Sequence, residues 1–338
     1  MRLFSITALL TLCSLASSTS AVLIEVPSGT YPTIASGLEA AGPDDVVELA
    51  AGTYDEYNLQ VPSGVTIRGA TGDPRDVVIN GLAHWVIAFN TCSGNSRMED
   101  LTVAGGAAAY SGSGVNFYNA NTVVENCIIR ENSCSDYGAG VYAGGAASDI
   151  EFRDCQFIDN ATTTLDGAAY FGQGVGNVRF FGCVFEGNTA GRSGGGVVIN
   201  GGVGELHSCT FIGNSAPQQA SALSVAYGSV TMDHCLVTEN FLADQNVLYY
   251  VDATITLTCC DLYNNSGEDW HLQIADQFGV DGNISEDPQF CTDPNKHLQL
   301  ESDSPCGDCD GVPIGAFGAG CDDTAAESST WSHVKAIY

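Results

Sequence analysis

Basic side chains are scarce in this chain of 338 residues: ten Lys and Arg stand against 40 Asp and Glu, a formal net charge of −30. That imbalance disfavours nucleic acid, anionic membranes and polyanionic sugars as partners unless a divalent cation mediates the contact, and it favours solubility. Long apolar runs are missing too. Past residue 21 nothing approaches the 18 or more consecutive apolar residues that a membrane span needs, so no membrane span is predicted. Residues 1–21 carry Arg2, an apolar stretch over residues 7–13 and small residues ending at Ala21, the pattern of a secretory signal peptide cut after Ala21. They predict a secreted or cell-surface protein and are set aside from the fold.

Cysteine, by contrast, is plentiful. Of 14 cysteines only Cys13 lies in the signal, which leaves thirteen, an odd number, so at least one stays unpaired. That many would be unusual in a reducing cytosol and is reasonable in an exported chain.

Six of these cysteines are followed five residues later by asparagine: Cys127/Asn132, Cys155/Asn160, Cys183/Asn188, Cys209/Asn214, Cys235/Asn240 and Cys260/Asn265. Successive cysteines are 28, 28, 26, 26 and 25 residues apart. Self-similarity at a period of about 20–50 residues marks stacked units that bury their apolar faces only against their neighbours. With the cysteine as position zero, position −3 holds Val124, Phe152, Phe180, Leu206, Met232 and Leu257, and position +2 holds Ile129, Phe157, Phe185, Phe211, Val237 and Leu262. Apolar residues two apart mark a strand with one buried face, and the three-residue step from −3 to zero demands a bend. A second extended stretch, such as Gly194-Gly-Gly-Val-Val-Ile199, precedes each unit. Glycine and β-branched residues leave little helix. The prediction is an all-β chain, a right-handed parallel β-helix with about three strands per 25–28-residue coil.

An asparagine turned inward at every coil must satisfy both its donor and its acceptor, and each amide can bond the next one a coil away. The six asparagines therefore predict a buried ladder, which conflicts with glycosylation of Asn160 in the sequon Asn160-Ala-Thr162. The inward cysteines lie at about the 4.8 Å spacing of stacked strands, slightly too far between Cβ atoms for a bridge, so they read as buried free thiols. Among outward positions, −4 holds Glu151, Arg179 and Glu205, and −2 holds Glu125 and Arg153, which predicts cross-strand ion pairs. Residues 33–41 have a capping threonine and apolar Ile34, Leu38 and Ala41 at helical spacing, a short helix closing the first coil. Residues 22–321 are thus assigned to the β-helix domain, and residues 322–338 to a polar linker and a short C-terminal tail containing Trp331, Val334 and Ile337.

Tyr31-Pro-Thr-Ile34, Asp45-Val-Val-Glu-Leu49 and Ala51-Gly-Thr-Tyr54 resemble the N-terminal coil of secreted bacterial β-helix proteins of the pectate-lyase-like superfamily. Asp287-Pro-Gln-Phe290, His297-Leu-Gln-Leu300, Ser304-Pro305 and Ile314-Gly-Ala-Phe317 resemble the closing coils of that group. Phe157-Ile-Asp-Asn160, Phe185-Glu-Gly-Asn188, Phe211-Ile-Gly-Asn214 and Gly194-Gly-Gly-Val197 also resemble the repeat motifs of chlamydial polymorphic outer-membrane proteins, which are adhesins. These resemblances imply a parallel β-helix with either polysaccharide chemistry or surface adhesion.

The residues argue against the chemistry. Polyuronate lyases on this fold need a strong base beside carboxylates holding Ca²⁺, yet Arg68, Arg75, Arg97, Arg130, Arg192 and Lys296 are scattered over different coils. Hydrolases need Asp residues gathered on one strand face, but Asp44-Asp45 and Asp322-Asp323 lie outside the coils. The remaining catalytic candidates are His207 and Asp233, both at −2 on adjacent coils, with His234 beside them. Cys291, Cys306, Cys309 and Cys321 read as two disulfides stapling the last coil rather than a zinc site. No metal or cofactor is required, although Asp308-Cys-Asp310 with Asp322-Asp323 offers oxygen ligands to Ca²⁺. The leading reading is a non-catalytic exported solenoid that presents an extended surface to an extracellular polysaccharide or a cell-surface protein. The alternatives are a polysaccharide lyase or glycoside hydrolase, and a structural surface-layer component.

Overall fold

The computed structural model describes residues 20–92, 96–242, 246–267, 269–292 and 297–321. Nearly all of the signal segment, Lys296, Asp322-Asp323 and the tail of residues 322–338 lie outside them.

One coil shows how the repeat folds. Val115–Tyr118 lies on a first face, Asn121–Glu125 on a second, Ile128–Arg130 on a third, and the two-residue strand Ser133–Cys134 leads to the next coil. Each pairs in parallel with its equivalent one coil on, with Val115 beside Val141, Val124 beside Phe152, Ile129 beside Phe157 and Cys134 beside Thr162. The third face is a sheet of nine such strands, from Gly52–Tyr54 to Asp261–Tyr263. This is the right-handed parallel β-helix that the repeat predicts. The first two faces merge where Val197–His207 and Leu223–Asp233 run unbroken through the corner.

The bend between −3 and zero is a single left-handed residue at −1: Asn126, Asp154, Gly182, Ser208, His234 and Cys259 all have φ between 47° and 61°. A second left-handed column stands at +4, with Glu131, Asp159, Gly187, Gly213, Glu239 and Asn264. Asn, Asp and Gly accept this conformation readily, whereas other residues adopt it at a cost that the surrounding stack must offset.

The apolar columns at −3 and +2 fill the interior, all of them buried. Phenylalanine rings stack along them, Phe157 on Phe185 at 4.8 Å and Phe185 on Phe211 at 4.5 Å between centroids. Tyr170 lies edge-on to Phe152 and Phe180 in the same core, and its hydroxyl is buried with no hydrogen-bond partner. An unpartnered buried hydroxyl carries its full desolvation penalty, so Tyr170→Phe should raise the unfolding free energy by about 1 kcal/mol. Chemical denaturation of the two proteins decides this; a lower midpoint for the phenylalanine variant would mean that the hydroxyl is bonded.

The asparagine ladder runs unbroken through six coils. Asn132, Asn160, Asn188, Asn214 and Asn240 each donate from backbone N–H and from Nδ2 to Oδ1 of the next asparagine, at 2.9–3.2 Å. Nδ2 also donates to the +2 carbonyl of the previous coil, as Asn188 does to Phe157 at 2.9 Å. Asn265 ends the column by donating to Asp269 Oδ1 at 2.8 Å. Beside this ladder, Cys127, Cys155, Cys183, Cys209, Cys235 and Cys260 are unbridged and buried. Each thiol reaches the −3 carbonyl of the preceding coil, as Cys183 does with Phe152. Burial pushes the thiols of Cys127, Cys183, Cys235 and Cys260 well up, which keeps them protonated.

Both ends are closed by groups that satisfy exposed backbone. The helix Ile34–Ala40 (α1) caps the first coil, with Thr33 Oγ1 accepting from Ser36 N–H and the Glu56 carboxylate accepting from Ile34 and Ala35 N–H. At the far end, Gln273 Oε1 accepts from Tyr250 N–H while its Nε2 donates to the Tyr250 carbonyl. Gln277 treats Leu257 N–H and the Ile255 carbonyl in the same way. These side-chain amides take the place of a further strand and blunt an edge that would otherwise invite pairing with another chain.

Two expectations are corrected in the C-terminal segment. Ile284 adds one parallel bridge beyond Asp261, but residues 287–292 and 297–320 do not stack as closing coils; they fold back as a strap along the outside of the third face. Leu298 and Ala316 cover Val184 and Ile212, while Leu300, Cys306 and Ile314 cover Leu236. Consequently Cys306 is not bridged: it is free, buried and bonded to Asp261 at 2.9 Å. Cys309 instead pairs with Cys259 on the solenoid wall, and Cys291 pairs with Cys321 within the strap.

Candidate functional site

The ion pairs come first, because they decide where charge is available. Arg179 meets Glu151 as expected, at 3.1 Å, and also Asp149 at 2.8 Å. The expected partnership of Glu125 with Arg153 is replaced: Arg153 turns along its own strand to Glu151, and Glu125 takes Arg97 at 2.9 Å. In-strand carboxylates two residues away lie as near as those across the ladder, so register alone did not choose the partner. Arg68 pairs with Glu48, Arg75 with Asp73, Arg130 with Glu131 and Arg192 with Asp166. Every arginine among the described residues is therefore held by a carboxylate.

His207, Asp233 and His234 are brought together on the second face. His207 Nδ1 lies 3.4 Å from Asp233 Oδ2, and His234 Nδ1 lies 2.8 Å from Asp233 Oδ1. His234 Nε2 reaches the Cys309 carbonyl at 2.9 Å, and its own carbonyl accepts from Gly315 N–H at 2.8 Å. Both ring nitrogens of His234 are thus engaged, one by a carboxylate and one by a backbone carbonyl. His234 fastens the strap to the wall. His207 stacks on Phe181 at 5.1 Å, with Nε2 4.0 Å from Glu205. Asp308 is likewise occupied, accepting from Gly311 N–H in a turn.

The first face is different. One of its outward columns runs through Asn90, Tyr118, Gly144, Gln173, Asn200, Ala226 and Val251. The neighbouring column runs through Ala88, Asn116, Tyr142, Phe171, Val198, Ser224 and Tyr249, with Gln60 paired at its start. Neither column contains Asp, Glu, Lys or Arg, in a chain with 40 acidic residues. The first column carries amides, Tyr118, small groups and Val251; in the neighbouring column Ala88, Phe171 and Val198 are buried, and Asn116, Tyr142, Ser224 and Tyr249 are partly exposed beside it. Tyr118 is 55% exposed, Asn90 Nδ2 donates to Gln60 Oε1 at 2.8 Å, and Tyr142 stacks parallel to Phe171. Burial first, then Tyr137 and Tyr118, push the Tyr142 phenol up, so it remains a neutral donor and acceptor. Six coil steps of about 4.8 Å make the column a straight track of roughly 29 Å.

Sequence reasoning missed this track because its first column shifts between −9 and −11 from the cysteines and its residue types vary from coil to coil. The signal was present as the total lack of charge in Ile87–Asn90, Val115–Tyr118, Val141–Gly144, Tyr170–Gln173 and Leu248–Val251.

Of the comparisons with known proteins, the family model agrees with the fold. No curated protein sequence matches the chain. Among solved structures it is similar to the pectate lyase Pel9A, at 14% identity over 90% of this chain and 97% of that one, with a TM-score of 0.49. It is also similar to the deglycosylated pectin methylesterase from Aspergillus niger, at 14% identity over 80% of this chain and 92% of that one, with a TM-score of 0.36. The family model described as a right handed beta helix region matches residues 74–215, the stretch in which the cysteine and asparagine columns and the uncharged track begin.

Proposed function

We propose that this protein is an exported glycan-binding solenoid that lays an uncharged polysaccharide along its first face and does not cleave it. The observation that carries this reading is the charge-free track of tyrosines and amides on an otherwise strongly acidic chain. Tyrosine rings offer flat apolar faces to the carbon faces of sugars, and amides donate to and accept from hydroxyls. Neither requires stripping water from an ion, so a neutral chain is favoured over a polyuronate, which the net charge repels. Two disulfides fit an oxidising compartment. Capture of all seven described arginines by carboxylates, and of both His234 nitrogens by acceptors, supports the absence of a lyase-type base.

The test is affinity electrophoresis through gels containing neutral polysaccharides or polygalacturonate, with parallel assays for unsaturated products and reducing ends. Retardation by a neutral polymer, independent of Ca²⁺ and weakened at least about tenfold by Tyr118→Ala with Tyr249→Ala, is expected; tenfold corresponds to about 1.4 kcal/mol. Turnover of any polymer that disappears on replacing His207 or Asp233 would sink the non-catalytic reading.

A further inference from the structure

The clasp between strap and wall places three metal-ligating side chains together. Donor atoms of His234, Cys259 and Cys309 all lie within 4.8 Å of one another, with His234 and Cys259 buried. Cys259 and Cys309 have Cα atoms 5.8 Å apart. Two thiolates bound tetrahedrally to one ion at about 2.3 Å sit roughly 3.8 Å apart, a separation that side-chain rotation alone reaches from such Cα positions. Asp233 already holds His234 Nδ1 at 2.8 Å, the carboxylate–imidazole arrangement that fixes a ligating histidine and raises its basicity. Gly282, at φ 78°, lies under both sulfurs; a Cβ there would come within 2.6 Å of Cys309 Sγ. A side chain at position 282 would therefore press on both sulfurs.

We propose that the clasp has two closed forms, a disulfide when oxidised and a Cys₂His site for Zn²⁺ or a similar divalent ion when reduced. Reduction by a thiol converts the Cys259–Cys309 bond and two RSH into RS–SR and two cysteine thiols. The ion then displaces one proton from each sulfur and one from His234 Nε2, forming two S–metal bonds and one N–metal bond, with water in the fourth position. The strap is held in either compartment, before and after disulfide formation.

Co²⁺ is the probe, because thiolate ligation gives a sulfur-to-metal charge-transfer band in the near ultraviolet. The full chain, treated with a phosphine reductant, should bind one Co²⁺ with this band and release it to Zn²⁺. The oxidised chain should show no band, although nine other thiols among the described residues are present. Cys259→Ser with Cys309→Ser should abolish the band, Cys291→Ser with Cys321→Ser should keep it, and Asp233→Asn should weaken binding about 10–100-fold while keeping it. Far-ultraviolet dichroism identifies any variant that has not folded. The proposal is overturned if the reduced wild-type chain gives no band, or if the folded Cys259/Cys309 variant retains it.

Discussion

Replacing Asn188 with alanine should lower the unfolding free energy by about 2–5 kcal/mol, among the largest losses available from a single polar side chain here. Asn188 Oδ1 accepts from both the N–H and the Nδ2 of Asn160 at 3.0 Å, and its Nδ2 supplies the Phe157 carbonyl and Asn214 Oδ1 at 2.9 Å. Alanine strands the Asn160 N–H and the Phe157 carbonyl in a fully buried place, each at about 1–3 kcal/mol. The exposed Asn177 is the control, since surface replacements usually stay within about 0.5 kcal/mol. Because coils couple to their nearest neighbours, amide exchange should quicken first across residues 155–215 and only later at the ends. A denaturation midpoint equal to that of Asn177→Ala would refute the ladder as a source of stability.

Stability should also fall as pH rises from 4 to 7, through Asp261. This carboxyl is fully buried under the strap; desolvation raises its pKa to about 6, partly offset by the hydrogen bond from the Cys306 thiol and by Glu286 N–H. Folding therefore strengthens proton binding. The stabilisation is complete below the unfolded value of about 3.9 and is lost as pH climbs through about 6, a change of roughly 2–3 kcal/mol. Carboxylates held low, such as Asp73 beside Arg75, act in the opposite direction at more acidic pH, so the difference between wild type and Asp261→Asn isolates the effect. Urea denaturation of both proteins at pH 4.5, 5.5, 6.5 and 7.5 provides the measurement. Parallel profiles would show that Asp261 does not titrate in this range.

The buried thiol of Cys306 belongs with Asp261. The carboxylate accepts its S–H, and burial with the adjacent charge pushes the thiol up. The sequence grouped Cys306 with Cys291, Cys309 and Cys321 in two disulfides, but the wall of the solenoid offered Cys306 an acid and Cys309 a thiol. That choice depends on which outer residue lies beneath each position of the strap.

The two halves of the molecule differ in how far the sequence reaches. Within the coils, period, inward columns, the asparagine ladder and the unbridged thiols all follow from the chain alone, because each contact joins a residue to its own equivalent 25–28 residues away. The capping helix follows as well, from Thr33 and the spacing of Ile34 and Leu38, a contact set spanning a few residues. The strap obeys no repeat. Ala316 N–H bonds Thr210 and His297 bonds Glu186 across 106 and 111 residues, and nothing in either segment announces the other. The uncharged track lies between these cases: each strand shows its lack of charge, but only stacking sets those strands side by side and turns their amides and tyrosines outward together. A repeat encodes its nearest neighbours in its own period, whereas a surface, a clasp or a disulfide partner is decided by which distant pieces the finished solenoid brings into reach.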